Sequence, residues 1–417
     1  MKTYKSSQVF VPGGMPQYTY VSRTERRLEQ DLGNAKDNLC KLVTLTGATK
    51  SGKTVLANKI FPRSCGEAIW VDGGTIGEEN DLWGYILDEL GGCEGFENSS
   101  QTSKTKSLSG EIEGEVGAFF IKGKGKTATG LTNGSTTSEK RTRVISKRSA
   151  AITLLRQSEL PLIIDDFHYL KREFQGDVIR ALKPLIFEGH PVIFIAIPHR
   201  RYDAVKVERE MTGRLESIHV PPWTTEELTE IPRVGFPLLN AELSDALSVR
   251  IAQEAYGSPH LMQEFCRSVA KYHEIEETTP NKLRIEKTNT RIFKNVAEGT
   301  GKVVFEKLAK GPRTRTDRMQ RSLKTGDTAD IYKVVLLALA KLSPGMELVD
   351  YDQLRGAIRE VLADNFPQAH EVSRVLEKMS EIASSDEAST PVIDWEKDDQ
   401  KLHITDPFFA FFLKWGA

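Results

Sequence analysis

The stretch GATKSGKT, Gly47 to Thr54, follows the apolar run KLVTL directly and leads directly into VLANKI. It fits G-x-x-x-x-G-K-[ST], a spacing with a chemical reason. Glycines let the backbone fold tightly, so that successive N–H groups point inward at phosphate oxygens. The helix that begins here adds the partial positive charge of its N-terminus. The Lys53 ammonium can reach β- and γ-phosphates, and the Thr54 hydroxyl can ligate Mg2+. By chance the bare pattern arises in roughly one or two of a hundred chains of this length. Chance does not also supply a strand before it and an amphipathic helix after it. Gly47, Ala48, Thr49, Lys50, Ser51, Gly52, Lys53, Thr54 and Val55 are therefore expected to cradle a nucleotide.

Such a cradle needs a carboxylate to hold the metal. LPLIIDDFHYL supplies one, an apolar run ending in Asp165 and Asp166 at the C-terminal edge of a strand. Asp165 would hold Mg2+ through water, and Asp166 could orient the attacking water. Alternatively the paired aspartates only cap the next helix. One strand, AIWVD, lies between the cradle strand and the acidic strand in sequence. That suggests another strand inserted between them in the sheet, the ASCE arrangement of P-loop ATPases with an extra central strand. The expected ligands are thus ATP and Mg2+. In that class the residue that activates water is often Glu, and the shorter Asp166 favours slow turnover.

The surroundings agree with an α/β fold. KLVTL, AIWVD, PLIID, PVIFIAI and SIHV are Val- and Ile-rich and only weakly alternating, as in a parallel sheet covered on both faces. Helical stretches separate them. At 417 residues the chain is too long for one compact domain. We read residues 1–36 as an arm and short helix, 37–222 as the ATPase core and 223–273 as a helical lid. A charged linker over 274–328 and a winged-helix-like end over 329–417 would follow, the end formed by three helices and the hairpin PVIDW–KLHIT. Residues 97–139, rich in Ser, Thr, Gly and Lys, read as a mobile surface insertion or as a lid or partner-binding loop.

Composition excludes several classes. A net charge of −1 gives no global field towards nucleic acid or anionic lipid. The four cysteines are scattered with no C-x-x-C pair, which argues against structural zinc or a disulfide framework and fits a reducing cytoplasm. The longest apolar runs are far shorter than a membrane span. The N-terminus has no apolar core of signal-peptide length.

With these motifs in order, the chain resembles the AAA+/STAND group of P-loop ATPases, in its initiator-type and archaeal-ATPase-like branches. The resemblance is carried by YVSRTERRLEQDL, GATKSGKT, LIIDDFHYL, VIFIAIPHRR, GRLESIHVPPWTTEEL and GSPHLMQEFC, and by the end LHITDPFFAFFLKW. It implies that the first of these lies beside adenine. It implies His199 at the sensor position, where Asn, Thr or Ser is usual, unless His199 is a surface-loop residue. It places His260 where related lids carry Arg; an imidazole is only partly charged at neutral pH, so sensing there would be weak or pH-dependent. Arg214 is the candidate finger reaching a neighbour's nucleotide in a homo-oligomer, or else a rim arginine in a salt bridge.

Three functions fit. An ATP-controlled oligomerising switch, of the kind that serves prokaryotic antiviral defence, would act through a separate effector protein. An initiator-like or transposition-regulator-like ATPase would assemble on DNA. A nucleotide-stabilised structural subunit would hydrolyse nothing. The third helix of the winged-helix-like end, AHEVSRVLEKMSEIA, carries Arg374 and Lys378 but also Glu371, Glu377 and Glu381, which suits packing or switching better than phosphate binding. The stretch Arg313, Arg315, Arg318, Arg321 and Lys324 is the better nucleic-acid candidate.

Overall fold

The computed structural model describes residues 2–37, 40–91, 146–197, 211, 213–312, 318–343, 345–346, 348–384 and 391–417. The 97–139 insertion, His199, Arg313 and Arg315 lie outside them.

A short helix α1 (Ser6–Val9) and a helix α2 (Leu28–Gly33) precede strand β1 (Leu42–Gly47), helix α3 (Lys53–Ile60), strand β2 (Ile69–Asp72) and helix α4 (Glu79–Glu89). Helix α5 (Lys147–Gln157), strand β3 (Leu162–Asp165), helix α6 (Arg172–Phe187), strand β4 (Val192–Ala196) and strand β5 (Leu215–Val220) complete the core. The five strands form one parallel sheet in the order β2-β3-β4-β1-β5. β4 thus enters between the cradle strand and the acidic strand, as the sequence spacing leads one to expect.

Successive side chains of a strand point to opposite faces, and both faces are buried here. Leu42, Ile164 and Phe194 pack with Trp83, Leu155 and Leu182 of α4, α5 and α6. Val43, Leu45, Ile163 and Ile193 pack with Leu28, Leu32, Leu56 and Phe61 on the α2–α3 side. Because every strand runs the same way, Gly47, Asp72, Asp165 and Val220 finish at one edge, with Gly47 opposite Val220 and Asp72 opposite Asp165. That edge positions the site.

Residues 223–312 form a helical body. Thr224, Ser244 and Ser258 each cap a helix, Thr225–Leu238, Asp245–Gln253 and Pro259–Tyr272, by accepting from a backbone N–H of its first turn. The N-terminal arm is built into this body: Val9 and Phe10 are fully buried in its core. Gln263, itself buried, accepts from the Val11 N–H at 3.2 Å and donates to Thr19 Oγ1 at 2.8 Å.

The charged stretch 274–328, expected as a linker with some helix, carries more regular structure than that. Residues from 274 onward supply strand β7 (Leu283–Ile285), paired with β6 (Ala241–Leu243), and helices Arg291–Thr300 and Lys302–Lys310. Phe293, Val296 and Ala297 are buried in the core of the helical body. The apolar residues recur at helical spacing, and the charged residues between them occupy only the exposed face.

The C-terminal part has a two-stranded pair, β8 (Arg321–Ser322) and β9 (Thr328–Ala329), then helices Ile331–Leu342, Tyr351–Val361 and Ala369–Ser384. A small antiparallel sheet, β10 (Val349–Asp350), β12 (Lys401–Ile404) and β11 (Ile393–Glu396), lies in the order β10-β12-β11. The last helix, Pro407–Trp415, has two apolar faces. Phe408, Phe411 and Phe412 enter the core of the helical body. Phe409, Ala410 and Leu413 enter the C-terminal core. One helix thereby rivets the two together.

Gly235 tests how tightly the arm is seated. A Cβ there would lie 2.4 Å from Phe10 Cε1 and 2.9 Å from Thr19 Cγ2. Gly235→Ala would gain about 1 kcal/mol of helix propensity, but overpacking costs about 1–3 kcal/mol and should win. Thermal unfolding is expected to show a lowered midpoint; a raised midpoint would mean that the arm does not pack on this helix.

Candidate functional site

β1 delivers the chain at Gly47, and the loop must turn at once into α3. A Cβ on Gly47 would lie 2.6 Å from the Val220 carbonyl oxygen, so only glycine lets β5 run this close. Gly52 takes φ 94°, a left-handed conformation suited to glycine, and Lys50 takes φ 59°. Two buried hydroxyl oxygens of this loop, Thr49 Oγ1 and Ser51 Oγ, have no hydrogen-bond partner among the described residues. An unsatisfied buried hydroxyl is costly, and here both belong to a loop whose spacing suits phosphate oxygens.

Lys53 is buried and donates to the carbonyls of Gly47 and Ala48, both at 2.9 Å. Burial pushes its ammonium down to about 8, while Asp166 and Asp165 pull it back up. Thr54 Oγ1 donates to Asp165 Oδ1 at 3.2 Å. The Asp166 N–H donates to the same oxygen at 3.0 Å, and Asp166 sits at φ 50°. Burial raises both carboxyls; Asp166 reaches about 6, with the neighbouring Asp165 charge adding to the effect. Burying like charges side by side has this consequence. The Asp166 side chain accepts no cap bond from the turn Phe167–Tyr169 that follows it.

A cavity of about 890 Å3 opens over this edge, within the usual range for ligand sites. Thr49, Lys50, Ser51, Gly52, Lys53, Thr54, Val55, Asp166 and His260 all line it. Tyr20, Val21, Arg23, Leu28 and Glu29 of the arm line another side. Arg23 is held there by the Pro221 and Pro222 carbonyls and by Glu227 at 2.9 Å, and stacks on Trp223.

Three contacts grip the loop from outside. Trp223 Nε1 donates to the Ser51 carbonyl at 3.0 Å, and Ser258 Oγ donates to the Lys50 carbonyl at 3.4 Å. The Lys50 ammonium reaches Asp406 Oδ2 at 3.2 Å and lies 4.0 Å from the centre of the Phe408 ring. Asp406 Oδ1 meanwhile caps the last helix by accepting from the Phe408 and Phe409 N–H groups.

His260 lines the cavity, where its imidazole packs edge-on against Phe408, and burial together with the Lys50 charge pushes it down to about 4. It is neutral throughout the physiological range, so no charge sensing by His260 near pH 7 is expected. Arg214 is not brought to this site. It precedes β5 at the opposite edge of the sheet, where its carbonyl accepts from the Leu42 N–H, and its guanidinium stacks on exposed Phe187. Two arginines of the basic stretch are used within the fold: Arg318 pairs with Asp330 at 2.6 Å, and buried Arg321 pairs with Glu371.

Sequence reasoning missed Asp406, Trp223 and Arg63. The start of the last helix was legible in Asp406-Pro407, but the Lys50 contact spans 356 positions and leaves no local signal. Among the described residues no cluster of three or more His, Cys, Asp or Glu could hold a metal by itself, and no helix is long and apolar enough to cross a membrane. Thr54 and Asp165 are the oxygens that fit a nucleotide-bound cation.

The chain is similar in structure to the Walker-type ATPase paby2304 of Pyrococcus abyssi, with 13% identity, 97% of this chain and 98% of that chain covered, and a TM-score of 0.54. The fold is that of a P-loop ATPase. Weaker likenesses are to Cdc6p from Pyrobaculum aerophilum, 13% identical over 97% of this chain and 96% of that one with a TM-score of 0.46. Another is to the Aeropyrum pernix Orc1 protein in complex with DNA, 15% identical over 99% and 96% with a TM-score of 0.45. No family model and no curated protein matches the chain.

The neutral imidazole of His260 has a measurable signature. Its folded value of about 4 lies below the ordinary 6.5, so the unfolded chain takes up this proton first as pH falls. The stability of the wild type relative to His260→Gln should be constant above pH 6.5 and decline between 6.5 and 4. Denaturant titrations that show a constant difference down to pH 4 would contradict the assignment.

Proposed function

We propose that the chain is a Mg2+-dependent ATPase whose nucleotide state controls how its C-terminal domain is held. Lys50 carries this reading. Its backbone belongs to the phosphate cradle, and its side chain grips Asp406 of the last helix. A phosphate entering the loop competes with Asp406 for the same ammonium.

The roles follow from the geometry. Lys53 would exchange its two carbonyl acceptors for phosphate oxygens, and Thr54 and Asp165 would hold Mg2+. That ion, when bound, offsets the charge of the phosphates. Asp166, beside Asp165 and lining the cavity, orients the attacking water. Tyr20 and Val21 flank the base. His260 contributes as a neutral hydrogen-bonding group. Arg214, on the far edge of the sheet, reaches no nucleotide of its own chain; as a finger it would serve a neighbouring copy in a homo-oligomer of the AAA+ type.

We read the C-terminal domain as a winged-helix-like packing and switch module. DNA binding is the second reading, favoured by its three helices and hairpin. The charges weigh against it: Lys378 pairs with Glu381, Lys397 with Glu377, and Arg318 and Arg321 are also paired. Exposed pairs like the first two leave few uncompensated cations for phosphates. Defence signalling and a separate effector form no part of this proposal, since no observation on the molecule supports either.

Two variants test it. Asp166→Asn should keep ATP affinity within about threefold and lose about a hundredfold or more in turnover; wild-type turnover would assign the water to another residue. Asp406→Asn retains the helix cap, because Asn caps as well as Asp, but loses the charge that holds Lys50. A contact worth about 1–2 kcal/mol shifts an equilibrium about five- to thirtyfold. Small-angle scattering should show ATP changing the radius of gyration of the wild type, and Asp406→Asn reaching the same state at lower ATP. Identical scattering with and without saturating ATP in both proteins would remove the switch.

A further inference from the structure

Arg63 opens the turn that follows α3, where its N–H donates to Asn58 Oδ1 at 3.0 Å. Its guanidinium carbon lies 4.3 Å from the centre of the Trp70 ring. That ring is itself fixed, buried and donating through Nε1 to the Phe61 carbonyl at 3.0 Å. One terminal nitrogen of Arg63 reaches Asp165 Oδ2 at 3.2 Å. The same carboxylate takes the Thr54 hydroxyl on its other oxygen. Arg63 therefore stands on the metal side of the cradle, and it lines the cavity together with Lys53, Thr54 and Asp166.

Its donors set it apart from the other cations beside the phosphate loop. Of the arginines that line the cavity among the described residues, Arg23 is tied to two carbonyls and a carboxylate. The ammonium of Lys53 serves two carbonyls, and that of Lys50 serves Asp406. A guanidinium has five N–H donors in a planar fork. Among the described residues Asp165 is the one acceptor that the Arg63 guanidinium meets. Stacking on Trp70 holds the plane of the fork, so little side-chain freedom is lost when it binds a second anion. The positive charge that Asp165 draws from Arg63 is also the charge that Mg2+ would supply.

We propose that Arg63 is a specificity residue that reads the terminal phosphate of the nucleotide within its own chain. It would leave Asp165 for that phosphate, and the aspartate would then be free to hold Mg2+. This rests on the ATP-binding reading above and adds to it how a triphosphate is told from a diphosphate. The fork matches phosphate oxygens in a bidentate manner that lysine cannot.

The test is calorimetric titration of wild type, Arg63→Ala and Arg63→Lys with ATP and with ADP, each in Mg2+ and in excess chelator. In Mg2+, Arg63→Ala should weaken ATP roughly tenfold to a hundredfold, as loss of a charged hydrogen bond does, and change ADP by less than about threefold. Arg63→Lys should fall between, and it carries the test if the alanine variant does not fold. In chelator, wild type and Arg63→Ala should differ much less for ATP. Equal losses for ATP and ADP would make Arg63 merely a support for Asp165, and unchanged affinities would make it a surface ion pair; either overturns the proposal. Wild-type protein that binds neither nucleotide overturns the ATP-binding reading and this inference with it.

Discussion

The hydrogen bond from Thr54 to Asp165 joins residues 111 positions apart at 3.2 Å, and most of the core exists to make it. Thr54 lies in the first turn of α3, directly after β1, and Asp165 ends β3. They meet across β4, which runs between their strands in register, with Leu42 opposite Val192 and Leu162 opposite the same residue. Only a sheet of parallel strands brings these C-terminal ends to one edge. The cost is a lysine and two carboxylates taken largely out of water. Unpaired, each would be strongly destabilising; together, with Arg63 beside them, they compensate one another.

A second consequence follows from where the loop is gripped. The cradle is not a free turn on the end of a strand. Trp223 and Ser258 hold its carbonyls, and Asp406 holds its lysine, so the helical body and the last helix both touch the phosphate loop. Cores of this kind respond to a local change by moving as units rather than by bending. The two-faced helix Pro407–Trp415 links Lys50, through Asp406, to both bodies, because its opposite faces belong to different cores.

The local parts were legible in the sequence. Gly47 to Thr54, the acidic pair and the Val/Ile-rich strands each announce themselves within a few residues, because a tight phosphate turn and a doubly covered strand constrain composition. What the sequence could not reveal were partners distant in the chain. The stretch from 274 looked like a linker because its charges outnumber its apolar residues, yet Phe293 and Val296 at helical spacing bury it. His260 read as a partly charged sensor because burial against Phe408 and proximity to Lys50 cannot be seen from its neighbours in the chain. Arg63 carries no motif, and its importance comes from Trp70 and Asp165, which only the fold places around it.

The most direct test of the central claim is the stoichiometry and affinity of ATP, titrated in Mg2+ against wild-type and Lys53→Ala protein by calorimetry. Expected are one nucleotide per chain for the wild type and a loss of about a hundredfold or more for the variant, with the variant shown to be folded by circular dichroism. Equal affinity in the two proteins would mean that the loop around Lys53 grips no phosphate, and the site would have to be sought elsewhere.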